Sequence, residues 1–106
     1  MIDERLSLNP DDARACQLGA TVSASLGLNE MARDYARRAL TINPDDPLLL
    51  YNISCMYSLL GNPNEALDCL EKAVDKGYGQ RDWVEHDSDL DPVRELPRFK
   101  RILEAM

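Results

Sequence analysis

The side chains best suited to chemistry crowd into one stretch, His86-Asp87-Ser88-Asp89-Leu90-Asp91. A histidine beside a carboxylate is the pairing that general bases use, the acid orienting the ring and the ring activating a serine or cysteine. His86 is the single histidine, and no serine or cysteine motif accompanies it, so a surface or packing role is expected. Asp87, Asp89 and Asp91 alternate like the first ligands of a calcium loop. That loop then needs a glycine at its sixth place and a glutamate at its twelfth. Pro92 and Arg98 stand there instead, so the alternation reads as caps and solvated turns. The three cysteines, Cys16, Cys55 and Cys69, form no Cys-x-x-Cys pair. They read as small buried hydrophobes of a reducing cytoplasm rather than a disulfide frame. With no Gly-rich phosphate loop and no zinc-ligand spacing, no catalytic, cofactor or metal site is expected, and the chain reads as a non-enzyme.

Charge narrows the partners. The chain has 106 residues and a formal net charge of −7. Phosphate backbones and anionic lipid repel such a chain, so neither nucleic acid nor a membrane is an expected partner. The densest basic cluster, Arg33, Arg37 and Arg38, includes Asp34 and reads as a solvated helix face. No apolar run approaches the ~18 residues of a membrane span. Met1-Ile2-Asp3-Glu4 is acidic and no apolar segment of a signal peptide follows.

The elements that must position these residues are announced by a repeat. Leu6-Ser-Leu-Asn-Pro-Asp-Asp12 returns as Leu40-Thr-Ile-Asn-Pro-Asp-Asp46, offset by 34 residues. In that register Leu26-Gly27 falls on Leu60-Gly61, Ala32 on Ala66, Asp34 on Asp68 and Ala39 on Ala73. Gly27 and Gly61 suit helix ends that need a left-handed backbone. Ala32 and Ala66 let two helices approach closely. Asp12 and Asp46 are placed to cap the following helices, with Pro47 at a first helical position, and Asn62-Pro63 repeats that pattern. Helices are expected over 13–26, 30–41, 47–60 and 63–76.

These residues and their period resemble the tetratricopeptide (TPR) repeat, a helix–turn–helix unit. Its pattern has a glycine between its helices, two small residues on the second and a proline after it. Gly27, Ala32, Ala39 and Pro44 fill those places first, then Gly61, Ala66 and Ala73, with Tyr78 in place of the proline. Tyr57 matches the family's first-helix aromatic, whereas Ser23 and Ala36 replace larger residues, so looser packing is expected in the first repeat. The resemblance implies one all-α domain over 1–106, a right-handed superhelical TPR solenoid with repeats at 13–44 and 47–78. Ile2, Leu6 and Leu8 align with Ala36, Leu40 and Ile42, so residues 1–8 are expected to be the remnant of a preceding repeat helix, in a fragment of a longer protein.

After Gly77-Tyr78-Gly79 the repeat lapses, and 79–106 is expected to be a helical cap. Asp91-Pro92 is expected to open a short turn and Pro97 a final helix. Trp83, Leu90, Val93, Leu96, Phe99 and Ile102 are expected to cover the open end of the second repeat, with Trp83 as anchor and a partner contact its alternative role. Leu-Asp-Pro-Val-Arg and Pro-Arg-Phe resemble the end of TPR arrays in large bacterial signalling proteins carrying adenylate-cyclase or protein-kinase domains.

The resemblance implies protein–protein interaction or scaffolding, by binding a protein or peptide ligand or another domain of the parent chain. The competing reading is self-association through an exposed repeat end. The TPR inner surface maps onto Arg14, Gln17, Thr21 and Ser25, then Leu48, Tyr51, Asn52, Cys55 and Leu59. Helix 47–60 is apolar nearly all round, so its second face is expected to be covered by the cap, with a bound peptide as the alternative. TPR domains that grip chaperone tails hold a carboxylate with cations. Here only Asn52 matches; Gln17 and Thr21 replace a Lys and an Asn, and the third repeat's basic pair is missing around Asp82 and His86, so such tails are not expected to bind.

Overall fold

The computed structural model describes residues 12–106, and the expectation for residues 1–8 lies outside them. Among the described residues the chain is all helical: α1 Ala13–Ser25, α2 Asn29–Ile42, α3 Pro47–Leu59, α4 Pro63–Asp75, α5 Arg81–His86, a 3-10 helix Ser88–Val93, and α6 Pro97–Ala105. It is a helical solenoid in which α1 packs on α2, α3 on α4, and α1 also on α3.

Local chemistry sets the boundaries. Asp12 Oδ1 accepts from the Arg14 and Ala15 N–H groups, and Asp46 Oδ1 does the same for Leu48 and Leu49. Three helices end in one motif. After α1, Gly27 N–H donates to Ala24 O and Leu28 N–H to Ser23 O. Gly61 and Asn62 repeat this after α3, and Gly77 and Tyr78 after α4. These are Schellman caps, whose central residue is left-handed; φ is +77° at Gly27 and +80° at Gly61.

Ala32, Ala39, Ala66 and Ala73 are fully buried where the helices of each pair meet, and Tyr57 is buried with them. The looser first pair is not observed. Ser23 and Ala36 are both buried, and the two pairs pack to the same extent, because short side chains let the backbones close up rather than leaving a gap. α3 is the centre of the fold, burying nine residues from Leu49 to Ser58.

The cap lies on α3 and α4. Val84, Leu90, Val93, Phe99 and Ile102 are buried, and Leu96 is half-buried. Trp83 corrects the sequence expectation: it is 63% exposed and anchors nothing. Adjacent helical residues point about 100° apart, so short α5 can aim only one of Trp83 and Val84 at the core, and Val84 takes that place. Arg94 locks the arrangement, its guanidinium donating to the carbonyls of Glu85 and Asp87 while lying over the Phe99 ring at 5.6 Å. Two expected caps also differ. The 3-10 helix is capped by Asp87, not opened by Asp91-Pro92; Asp91 Oδ1 instead accepts from Arg94 Nε. Asn62 makes no cap bond, because its Oδ1 accepts from Nε of Arg33 in the first helix pair.

Candidate functional site: the groove along α1 and α3

The polar residues of α1 project at helical spacing beside α3. Gln17 Nε2 donates to Thr21 Oγ1, Thr21 Oγ1 to Gln17 O, and Ser25 Oγ to Thr21 O. These local bonds hold short polar side chains against their own helix and leave the space in front open. Two cavities adjoin there. One of about 630 Å³ is lined by Arg14, Gln17, Leu48 and Asn52 among others. The second, of about 390 Å³, is lined by Gln17, Thr21, Ser25, Tyr51, Asn52, Cys55 and Leu59, together with Trp83, Asp87 and Asp89. Gln17 and Asn52 belong to both, so the cavities form one groove. The nine residues assigned to the inner surface by sequence therefore all line it.

They differ in what they offer. Leu48 and Leu59 are more than half exposed, at 53% and 58%. Tyr51 and Cys55 are buried beneath the cap, and Tyr51 stacks on Tyr78 with ring centroids 4.4 Å apart. The Tyr51 hydroxyl donates to Asp87 Oδ2, and Cys55 Sγ lies 3.7 Å from the same oxygen. The second face of α3 is thus covered near its middle by the chain's own cap, and the groove opens beside it.

Asp87 organises this end. Its Oδ1 accepts from Asp89 N–H while Oδ2 faces Tyr51 and Cys55. Burial first, then the Asp87 carboxylate, pushes the Tyr51 phenol well above its ordinary range. The same causes push the Cys55 thiol up to about 12. Burial, then the neighbouring Asp87, also raises the Asp89 carboxyl. Cys69, buried in α4, is pushed up to about 11, chiefly by burial. Thiols held this far up are protonated at neutral pH and are poor nucleophiles. His86 Nδ1 lies 2.9 Å from the Asp82 carbonyl.

Donor atoms of Cys55, Asp87 and Asp89 lie within 4.8 Å of one another. Sequence reasoning tested Asp87, Asp89 and Asp91 as a loop and missed this grouping, because Cys55 comes from another helix. A metal ion there must deprotonate a thiol held up by burial and displace the tyrosine hydrogen bond. The Asp89 contribution to the groove was likewise not legible, since no periodicity links the 3-10 helix to α1, whereas Trp83, for which the sequence offered a partner contact as the alternative role, lines the groove. Among the described residues no helix is long and apolar enough to cross a membrane.

Comparison with known proteins agrees with this architecture. A tetratricopeptide repeat model matches residues 13–46, the α1–α2 pair with its following turn. Another matches residues 35–68, running from α2 through α3 into α4. A TPR repeat-containing protein of Methanocaldococcus jannaschii is 36% identical over 74 residues, covering 69% of this chain and 23% of its own length. The chain thus spans about a quarter of that curated relative. No solved structure matches significantly.

Proposed function

Residues 13–68 are tetratricopeptide repeats, and on that premise we propose that the chain seats an extended segment of a partner protein in the groove along α1 and α3. Repeats of this family serve protein–protein interaction. The observation that carries the reading here is the continuity of the groove: the polar row Gln17, Thr21 and Ser25 faces the α3 residues Asn52 and Leu59 across open space. A ready-made floor lowers the ordering cost of binding, because Tyr51 and Cys55 are already tied to Asp87. No catalytic step belongs to this reading, since the Cys55 and Cys69 thiols hold their protons and His86 faces a carbonyl.

Peptides selected from a random library on the immobilised protein test it. Thr21→Trp fills the groove and is expected to abolish their binding, whereas Lys72→Trp, exposed on α4, leaves it intact. Selected peptides indifferent to Thr21→Trp would remove the groove from the account. The finer context proposed is a cytoplasmic module of a larger bacterial regulatory protein, supported by the tail from Leu90 to Phe99. A second reading, self-association, is favoured by the exposed Leu18, Leu28 and Met31 of the first helix pair. Sedimentation over a range of concentrations separates it, since a strict monomer excludes it.

A further inference from the structure

The groove is not chemically uniform. At its cap end it is lined, among the described residues, by two carboxylates, Asp87 and Asp89, and by no lysine or arginine. Of the cations nearby in sequence, Arg98 pairs with Asp68 and Glu71, Arg94 pairs with Asp91 and also donates to the Asp87 carbonyl, and Arg81 makes no ion pair among the described residues; none of them pairs with the Asp89 carboxylate. Asp89 makes no ion pair among the described residues, and it sits half-buried beside a second acid. Two half-buried carboxylates repel each other in a low-dielectric wall, and the attraction there for a cation is correspondingly large. Trp83 lines the same cavity and is 63% exposed, although the core had room for only its neighbour Val84. An open indole in the same cavity as an unpaired carboxylate, here Asp89, is the arrangement that binds a desolvated cation by ring face and anionic edge together.

We propose that the cap end of the groove takes an arginine side chain from a basic segment of another protein, its guanidinium lying against Trp83 and pairing with Asp89. Asp87 adds field but few hydrogen bonds, because its oxygens already accept from Tyr51 and the Asp89 N–H. Arginine suits the site better than lysine, since a planar guanidinium stacks on an indole while its edge pairs with a carboxylate. A second copy of this chain is a poor occupant. Its own basic cluster is already partnered, Arg33 by Asn62, Arg37 by Asp34 and Arg38 by the Tyr35 ring, and two chains of net charge −7 repel.

This inference rests on the groove reading, and one set of titrations tells the two apart. Trp83 is the single tryptophan, so its fluorescence reports directly on the site. The probes are a capped arginine–glycine peptide and its lysine and glutamate counterparts. Expected are saturable binding of the arginine peptide with a shift in emission, weaker binding of the lysine peptide, none of the glutamate peptide, and a steep loss with added salt. Asp89→Asn, whose side chain makes no hydrogen bond among the described residues, is expected to weaken binding about tenfold without unfolding the protein. Trp83→Leu, read by calorimetry, weakens it as well. Arginine-peptide binding that leaves the emission unchanged and ignores Asp89→Asn overturns the proposal, since it reflects net charge alone. Equal affinity for the glutamate peptide overturns it too. So do dimers dissolved by Asp89→Asn, which make the occupant a second copy. If library-selected peptides occupy the groove but carry no basic residue, the arginine site falls while the groove stands.

Discussion

Ser54 and Ser58 sit one turn apart on α3, both buried, and the structure treats them oppositely. Ser54 Oγ donates to the Ala66 carbonyl at 2.7 Å, whereas Ser58 Oγ has no hydrogen-bond partner among the described residues. Removing a satisfied hydroxyl loses its bond; removing an orphan ends its desolvation cost. Ser54→Ala is therefore expected to lower stability by about 1 kcal/mol, and Ser58→Ala to leave it unchanged or raise it by up to about 1 kcal/mol, both read from urea unfolding. Tyr51 and Cys55 make a pH statement. Their folded-state values lie above their ordinary ones, with Cys55 moved from 9.0 to about 12. A raised value means the native state holds its proton after the unfolded chain has released it. The stabilisation is complete below about pH 8.5 and declines as pH climbs toward the folded values. Melting temperature is expected to fall through that alkaline window, and less steeply in Cys55→Ala/Tyr51→Phe. Identical slopes would remove the coupling to Asp87 and burial as its cause.

At the scale of the element, similar sequence signals have different fates. Asp46-Pro47 and Asn62-Pro63 read alike, yet only Asp46 caps its helix. Asp46→Ala is expected to cost about 1 kcal/mol through α3, the loss of a typical cap. Asn62→Ala is expected to cost less, because it loses only the bond to Arg33, and a helix-stability difference between them is measurable by thermal unfolding. The glycines were more legible. An added Cβ at Gly61 meets nothing within 4 Å, so its requirement is purely its φ of +80°. Gly27, Gly61 and Gly77 end helices by one mechanism, the third at the close of the second repeat. Trp83 could not be placed this way, because α5 is too short to show a periodicity and its orientation was decided by Val84 and by Arg94 on another element.

At the scale of the molecule, the cap is continuous with the core. Leu90 and Val84 are fully buried, and the 3-10 helix rests on both α3 and α4. Repeat arrays depend on such ends to cover the last unit. Leu90→Ala is expected to destabilise the protein by about 2–4 kcal/mol, the cost of a cavity in a packed core. If the cap were a loosely attached tail, the loss would fall within a few tenths of a kcal/mol and unfolding would show two transitions rather than one. The same cap closes one end of the groove, so stability and binding share Asp87.

The helical repeat was present in the sequence itself, because a period of 34 residues, paired caps and recurring alanines are local or repeating signals that can be read along the chain. The row of groove residues was also legible, since helical spacing alone puts Gln17, Thr21 and Ser25 on one face. What only the tertiary structure decided is where the non-repeating tail lies. It brought Asp87 from the cap onto Tyr51 and Cys55 of α3, turned Trp83 outward and set Asp89 at the mouth of the groove. Those contacts join residues more than thirty positions apart with no repeat relating them. They are settled by which apolar side chains the cap must bury, and that competition is played out in space rather than along the chain.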